Sequence, residues 1–343
     1  MARERISFTT CNLYNLNRPG LPIYTGDGWT GAQYDAKIAW LGAALDVMRA
    51  DVMGFQELWH IGALDDALMA AGLEQTHTAL VPEGHEGQGI VCAAAVRSDW
   101  LVGEPEWIAN FPSEFRLHSQ GDDPQTPEIE VAIDSFSRPV LHFMVQPVAD
   151  RSPIAVYVCH LKSKSPTQIY REDWYDRDTH SRYAQALGYA ISTIRRTAEA
   201  AALRMMLIDR MRGTDTPVIV LGDINDETLS NTANVLTGQP RYLLGLSAGG
   251  GDASLYTAQT LQQYRSTRDV YYTHIYQNER TSLDHILVSQ EFYDNSRQRV
   301  WSFQGLDIFN DHLNVDDHKQ TGTTDHGIVR ATFQLQPARI EED

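Results

Sequence analysis

The chain reads as one α/β domain built from two packed sheets with helices on the outside. Three observations lead there. Strand-type and helix-type segments are mixed along all 343 residues, a pattern that favours stacked layers over separate all-α and all-β units. Several strand-type segments lie close enough in sequence to pair as hairpins. Polar residues collect at the ends of those segments, where a rigid scaffold places functional groups. No short-period repeat, low-complexity tract or linker divides the sequence, so residues 1–343 are expected to form a single domain.

Composition narrows the class. The hydrophobic fraction of 42% is that of an ordinary globular protein. A formal charge of −17 argues against a broad, sequence-blind grip on nucleic acid, which works through Lys and Arg on phosphates. An enzyme that meets phosphate through a bound cation is compatible with it, because the ion inverts the local field. Cys11, Cys92 and Cys159 each sit in an apolar, strand-like run, and none has zinc-finger spacing. An odd number of such thiols fits a reducing compartment better than a disulfide framework. The expected location is cytoplasmic, with secretion open to a protein whose leader is missing from this sequence. No stretch has membrane-spanning length, and no heptad or exposed apolar stripe points to an oligomer, so a monomer is expected.

The elements follow in order. Ile6-Ser7-Phe8-Thr9-Thr10-Cys11-Asn12-Leu13 alternates and predicts a first strand that delivers Asn12 at its end. After a Gly/Pro-rich loop, Ile38, Leu41, Ala44, Leu45 and Met48 recur at helical spacing and predict a helix over 34–48. Residues 51–57 read as a short strand ending in Gln56-Glu57. A helix over 62–71 and strands near 76–81, 89–97 and 100–108 follow. Residues 110–138, with Pro112, Gly121, Pro124, Pro127 and several acids, read as a surface insertion forming a flap over a site. Strands over 140–146 and 154–159 form a pair, the second ending in His160-Leu161-Lys162-Ser163-Lys164. A polar, aromatic-rich loop over 165–179 runs into a long helix over 182–211.

Next comes Pro217-Val218-Ile219-Val220-Leu221-Gly222-Asp223-Ile224-Asn225. Its branched apolar run predicts a strand covered on both faces. In an extended chain Asp223 and Asn225 point the same way, able to hold a hydrated cation or a phosphate oxygen. An Asx turn closing the strand explains the same residues. A flexible turn is expected at 245–251, a short helix at 253–263, and strands at 283–288 and 300–303. Asn310-Asp311-His312-Leu313-Asn314 leads to Thr324-Asp325-His326 and a last strand over 328–333.

Six strand ends thus carry related polar groups: Asn12, Glu57, His160, Asp223 with Asn225, Asp284, and Asp325 with His326. Singly, each reads as well as a turn, a cap or a core histidine. Together they suit displacement at phosphorus. Mg²⁺ binds through one or two carboxylates plus substrate phosphate, and Glu57 and Asp325 are the choices for it. Asp223 would orient or deprotonate the attacking water, with Asn225 and Asn12 donating amide N–H groups to phosphoryl oxygen. His326 and His160 would stabilise the pentavalent state, each needing a carboxylate to fix its tautomer. Asp284 is the expected partner of His326. Zinc is disfavoured, since the histidines are scattered and no HExxH helix appears.

Asn12, Phe55-Gln56-Glu57, Gly222-Asp223-Ile224-Asn225, Ser282-Leu283-Asp284-His285-Ile286-Leu287-Val288-Ser289 and Thr324-Asp325-His326 resemble, in order, the motifs of the endonuclease/exonuclease/phosphatase (deoxyribonuclease I-like) superfamily. The resemblance implies a four-layered α/β sandwich with two packed, mainly antiparallel sheets and the site at one end of them. It implies metal ligation by Glu57, Asp325 and Asn12, the cofactor being Mg²⁺ or Mn²⁺, with Ca²⁺ as an alternative structural ion. It implies catalytic roles for His160, Asp223, Asn225, Asp284 and His326. Phosphate contacts would come from Asn12, Lys162 and Asn225. His160 to Lys164 and Asp311 to Asn314 are similar to the bacterial nuclease-like branch. The segment near 165–212 is longer than in compact repair members, and no abasic-site tyrosine is placed.

Lys162, Lys164, Arg171, Arg177 and Arg182, interleaved with Tyr170, Trp174 and Tyr175, suit a strand of nucleic acid. The alternative is that the aromatics merely pack the loop onto the helix. The leading expectation is a divalent-metal-dependent nuclease acting on DNA or RNA. The alternatives are a phosphomonoesterase on small or lipid-linked phosphates and a non-catalytic binding module of the same fold.

Overall fold

The computed structural model describes residues 4–121, 127–242, 251–266, 271–315 and 317–336. In chain order the first half comprises β1 (Arg5–Leu16), α1 (Gly31–Met48), β2 (Val52–His60), α2 (Ile61–Ala70), β3 (His77–Leu80), β4 (Glu86–Arg97), β5 (Leu101–Asn110), β6 (Leu117–Ser119), β7 (Ile129–Val131), β8 (Ser135–Val145) and β9 (Ile154–His160). The second comprises α3 (Arg177–His180), α4 (Ala184–Met211), β10 (Val218–Asp223), α5 (Asn231–Thr237), β11 (Tyr256–Thr257), α6 (Ala258–Arg265), β12 (His274–Tyr276), β13 (Glu279–Thr281), β14 (Asp284–Val288), β15 (Trp301–Phe309), α7 (His318–Thr321) and β16 (Ile328–Leu335).

Twelve strands make two six-stranded sheets, in the orders β15-β16-β1-β2-β4-β3 and β11-β14-β10-β9-β8-β5. Each is antiparallel except at one central pair, β1 with β2 and β10 with β9. Period-2 alternation decides which side chains meet. Ile219, Leu221, Val156, Val158, Phe8 and Val52 pack between the sheets. Val218, Val220, Tyr157 and Cys159 face α4 and α5 on one outside. Met53, Phe55 and Leu13 face α1 and α2 on the other. The result is the four-layered sandwich, helix on sheet on sheet on helix. All of β10 is buried, as a strand covered on both faces must be.

Gly54 sets how closely the two sheets approach beneath their polar ends. A Cβ there would lie 3.0 Å from Val158 Cγ2 and 3.1 Å from Leu221 Cβ. On the helix side α1 opens with a capping box, Thr30 and Gln33 each bonding the other's backbone.

Several expectations need correction. The end of the supposed flap, from Ser135, is the start of β8 in the second sheet, while its middle is the small β6–β7 hairpin. Loop 165–179 contains helical turns at Ile169–Arg171 and, starting within it, Arg177–His180. The helix expected at 253–263 is β11 followed by α6, because Thr257 caps α6 by accepting from Thr260 N. Strand β15 runs to Phe309, well past 303. Helix α5 and the β12–β13 hairpin went unread, being too short to show a period. The turn expected at 245–251 lies outside the described residues apart from Gly251, as do 122–126 of the flap. The three cysteines are buried free thiols. Among the described residues no helix is long and apolar enough to cross a membrane.

Inserting a branched side chain into a close-packed interface typically destabilises by about 1–3 kcal/mol. Gly54→Val is therefore expected to lower unfolding free energy by that amount in urea titrations, and an unchanged midpoint would show that the sheets can part at no cost.

Candidate active site

Strand pairing builds the centre of the site. Asp223, the last residue of β10, lies directly opposite His160 on β9 and Asp284 on β14. Directly opposed residues of neighbouring strands point to one face, so three strands present His160, Asp223 and Asp284 as a row. The face is the inter-sheet one, since Asp223 keeps step with Ile219 and Leu221. Asn12 arrives from the opposite sheet on the same alternation as Phe8. Its Nδ2 donates to Asp223 Oδ2 at 3.3 Å, and its Oδ1 accepts from Tyr14 N at 2.9 Å.

His326 closes the group from the loop before β16. Its Nδ1 lies 2.8 Å from Asp284 Oδ2, and its Nε2 lies 3.8 Å from Asp223 Oδ2. His160 Nε2 is 3.5 Å from the same oxygen. The loop is fixed through Thr324, whose hydroxyl donates to Asn12 O and accepts from His326 N. Beneath it Lys37 of α1 is fully buried, its Nζ donating to Thr323 O at 2.8 Å. The rings of Tyr14 and Trp29 stand 5.5 Å from that ammonium. Burial lowers Lys37 to about 8.

Asn225 does not continue the strand. Its φ of 53° is left-handed, its N–H bonds Asp223 Oδ1 at 2.9 Å, and its Nδ2 donates to Leu161 O at 3.0 Å. The Asx turn and the polar site are thus the same residues, and the Asn225 amide keeps one further N–H for a ligand, whereas that of Asn12 serves both Asp223 and Glu57. Glu57 is re-aimed in a similar way. Strict alternation would send it to the α1–α2 face with Met53 and Phe55. Instead it has a φ of 60°, beside irregular pairing of β2 with both neighbours, and Asn15 N bonds its Oε2 at 3.0 Å. Bulges of this kind turn side chains next to active sites.

The charges divide the cleft. Burial, and then the charge of Asp325, push the Glu57 carboxyl up. Burial takes Asp223 up to about 7 against the pull of His326, with Asp284 adding to the rise. Burial opposes a charge on His326 as well, but Asp284 and Asp223 outweigh it and hold its pKa well above the ordinary value. His160 is kept neutral, first by burial and then by the charges of Arg138, His326 and Lys162.

Arg138 is the functional candidate that the sequence reading missed. It sits on β8, inside the segment read as flap, and its Nη1 donates to Leu161 O at 3.2 Å. Its charge reaches both Glu57 and His160. Lys162 lies nearby, but its Nζ is engaged by Ser163 and by Ser165 O. Two more histidines escaped notice as site neighbours. His312 Nε2 pairs with His326 O at 2.8 Å, and the His274 ring lies 5.1 Å from that of His326.

A divalent cation fits the donor set. Glu57 and Asp325 are two hard oxygen donors whose charges oppose each other, and Asp284 Oδ1 is buried with no hydrogen-bond partner among the described residues. Such carboxylates suit Mg²⁺ or Mn²⁺. Asn12 offers only the second lone pair of an oxygen already bonded to Tyr14 N.

This chain belongs to the Endonuclease/Exonuclease/phosphatase family, whose profile matches residues 13–326. That places it among phosphoric ester hydrolases, a family generally dependent on divalent metal. Solved structures share the fold. The endonuclease/exonuclease/phosphatase from Bacteroides vulgatus covers 97% of this chain and 100% of its own, with a TM-score of 0.55 at 13% identity. The human Nocturnin catalytic domain with bound sulfate covers 97% and 96%, with a TM-score of 0.53 at 14% identity. ANGEL2, a 2′,3′-cyclic phosphatase, covers 97% and 96%, with a TM-score of 0.56 at 14% identity. No curated protein matches the sequence.

The raised Asp223 carboxyl yields a stability test. A group that binds its proton more tightly when folded stabilises fully below its unfolded pKa, and that contribution is lost as pH rises through the folded value. For Asp223 the loss falls between about pH 3.8 and about 7. In chelator-treated protein the stability of Asp223→Asn relative to wild type should therefore rise between about pH 5 and pH 8, where the wild-type carboxyl ionises at a cost. Denaturant melts at the two pH values measure it, and a difference that does not change with pH would contradict the assignment.

Proposed function

We propose that this protein is a divalent-metal-dependent phosphodiesterase, a nuclease hydrolysing DNA or RNA by water attack at phosphorus, with residues 1–343 acting as one monomeric catalytic domain. The observation that carries the reading is the Asp223 carboxylate, held within 3.3–3.8 Å of Asn12, His160 and His326. Glu57 and Asp325 would hold the cation, which when bound polarises a phosphoryl oxygen and offsets its charge. Asp223, with a pKa near 7, is poised to take the proton of the attacking water at neutral pH. Asn12 and the neutral His160 orient that carboxylate.

His326, kept protonated by Asp284 and Asp223, donates from Nε2 to the phosphoryl group as negative charge builds there. Arg138 extends the positive side of the cleft, opposite Glu57. The second N–H of the Asn225 amide would donate to the same oxygens. The site therefore pairs an acidic wall for a cation with a basic wall for an anion.

The nucleic-acid reading rests on the loop leaving His160. Tyr170 and Trp174 are 57% and 51% exposed, as is Tyr183 at 52% just beyond the loop, while Tyr175 is half-buried and both Trp174 and Tyr175 lie against the His180 ring. Arg171 lies over the Tyr170 ring at 5.7 Å and Arg182 over the Tyr183 ring at 5.1 Å. Exposed rings backed by guanidinium groups are platforms for unstacked bases. The same fold holds adenosine-2′,3′-vanadate in ANGEL2, in agreement with a nucleotide substrate. The net charge of −17 favours the second reading, a phosphomonoesterase on a small ester.

Plasmid DNA, single-stranded RNA, nucleoside phosphates and inositol polyphosphates assayed side by side, with and without chelator, separate the two. Chain cleavage without free phosphate is expected, and phosphate release from small esters alone would establish the second reading. His326→Ala and Asp223→Asn should each slow turnover by about 10²-fold or more; normal turnover in either would remove that residue from the mechanism. Loss of one charged hydrogen-bond donor corresponds to roughly 1.5 kcal/mol or more, so Arg138→Ala should lower kcat/KM by about tenfold at least.

A further inference from the structure

We propose that His274, Asp325 and His326 form a transition-metal site, sharing Asp325 with the hard-cation position at Glu57, and that Zn²⁺ bound there inhibits the enzyme. This rests on the hydrolytic role of His326 given above. One ligand atom from each of the three residues lies within 4.8 Å of the other two. Two imidazoles and one carboxylate are the donor set of open zinc and related metal centres, which leave a position for solvent. Donor atoms around a tetrahedral ion with bonds of about 2.0–2.1 Å sit roughly 3.4 Å apart, so the group is somewhat wider than a closed shell and needs only small side-chain movements.

The backbone holds His274 for this purpose. It forms a β-bridge with His326, reinforced by Gly327 N donating to Thr273 O at 2.6 Å. Thr273 Oγ1 accepts from Leu283 N and Asp284 N at 3.0 and 3.2 Å. The imidazole itself makes no hydrogen bond to any described residue. The rings of Tyr276 and His326 lie 6.4 and 5.1 Å from it, and the charges of Asp325 and Asp284 reach it. A half-buried imidazole fixed against a carboxylate and a second imidazole, with its nitrogens unengaged, is an available nitrogen donor.

Chemistry separates the two positions. Mg²⁺ takes oxygen ligands and suits Glu57 with Asp325, whereas imidazole nitrogen favours Zn²⁺ and Co²⁺. Nδ1 of His326 is committed to Asp284 at 2.8 Å, so a metal can use only Nε2. That is the nitrogen facing Asp223 and the reacting phosphoryl group. An ion held there withdraws His326 from catalysis and draws Asp325 away from the Mg²⁺ position.

Metal-stripped protein titrated with Co²⁺ should develop visible d–d bands of a nitrogen-containing site, and calorimetry should show Zn²⁺ binding. His274→Ala and the conservative His274→Gln, each checked for wild-type thermal stability, should lose the bands and weaken Zn²⁺ binding by about tenfold or more. Half-inhibition by Zn²⁺, measured against each protein's own Mg²⁺-supported rate, should rise by a similar factor. Glu57→Gln should keep the Co²⁺ spectrum while losing Mg²⁺-dependent turnover. Identical spectra and Zn²⁺ affinity in wild type and both His274 variants would overturn the proposal. A wild type that shows the Co²⁺ bands yet hydrolyses no phosphoester would instead overturn the catalytic reading and leave the metal site standing.

Discussion

Three neighbouring strands end in register on His160, Asp223 and Asp284, and the rest of the molecule depends on that row. Strand pairing tolerates no sliding here. A slip of one residue in β9 or β14 would turn the polar member onto the α4 side and bring an apolar one to the cleft. The register is set by burial: Val156, Val158, Ile219, Leu221 and Ile286 must face the other sheet. The same packing that stabilises the fold therefore positions the chemistry. Asn12 crosses from the first sheet to Asp223 on the second, above Gly54, where the two sheets approach closely.

The site is electrostatically expensive. Asp223, Asp284 and His326 are almost completely buried, and Glu57 and Asp325 repel each other. Such groups persist because the structure around them over-determines their places. Lys37 ties α1 to the loop carrying Asp325 and His326, Thr324 ties that loop to β1, and His312 holds the carbonyl of His326. Backbone strain adds to this, with Tyr14, Asn15, Glu57 and Asn225 all left-handed.

Much of this was legible from residues alone. Apolar alternation located β1, a continuous branched apolar run located β10, and an α-periodic run located α1. The polar strand ends named the row, Asn12, Glu57 and the Asp325-His326 pair. Arg138 was not legible, because a proline-rich, acidic run before it reads as loop although its last residues pair in the second sheet. His274 was hidden for a different reason: a three-residue strand has no period, and its only signal is a β-bridge to a residue 52 positions later.

What the sequence by itself determined is the set of layers and the chemical type of each strand end, since burial acts on side chains at fixed periods. Only the tertiary structure decided which of those ends meet and which way they point. Glu57 shows why. By alternation it belongs to the helix face, and a left-handed φ in an irregular strand end turns it toward Asp325. That conformation is unfavourable locally and is chosen only because the assembled cleft surrounds it.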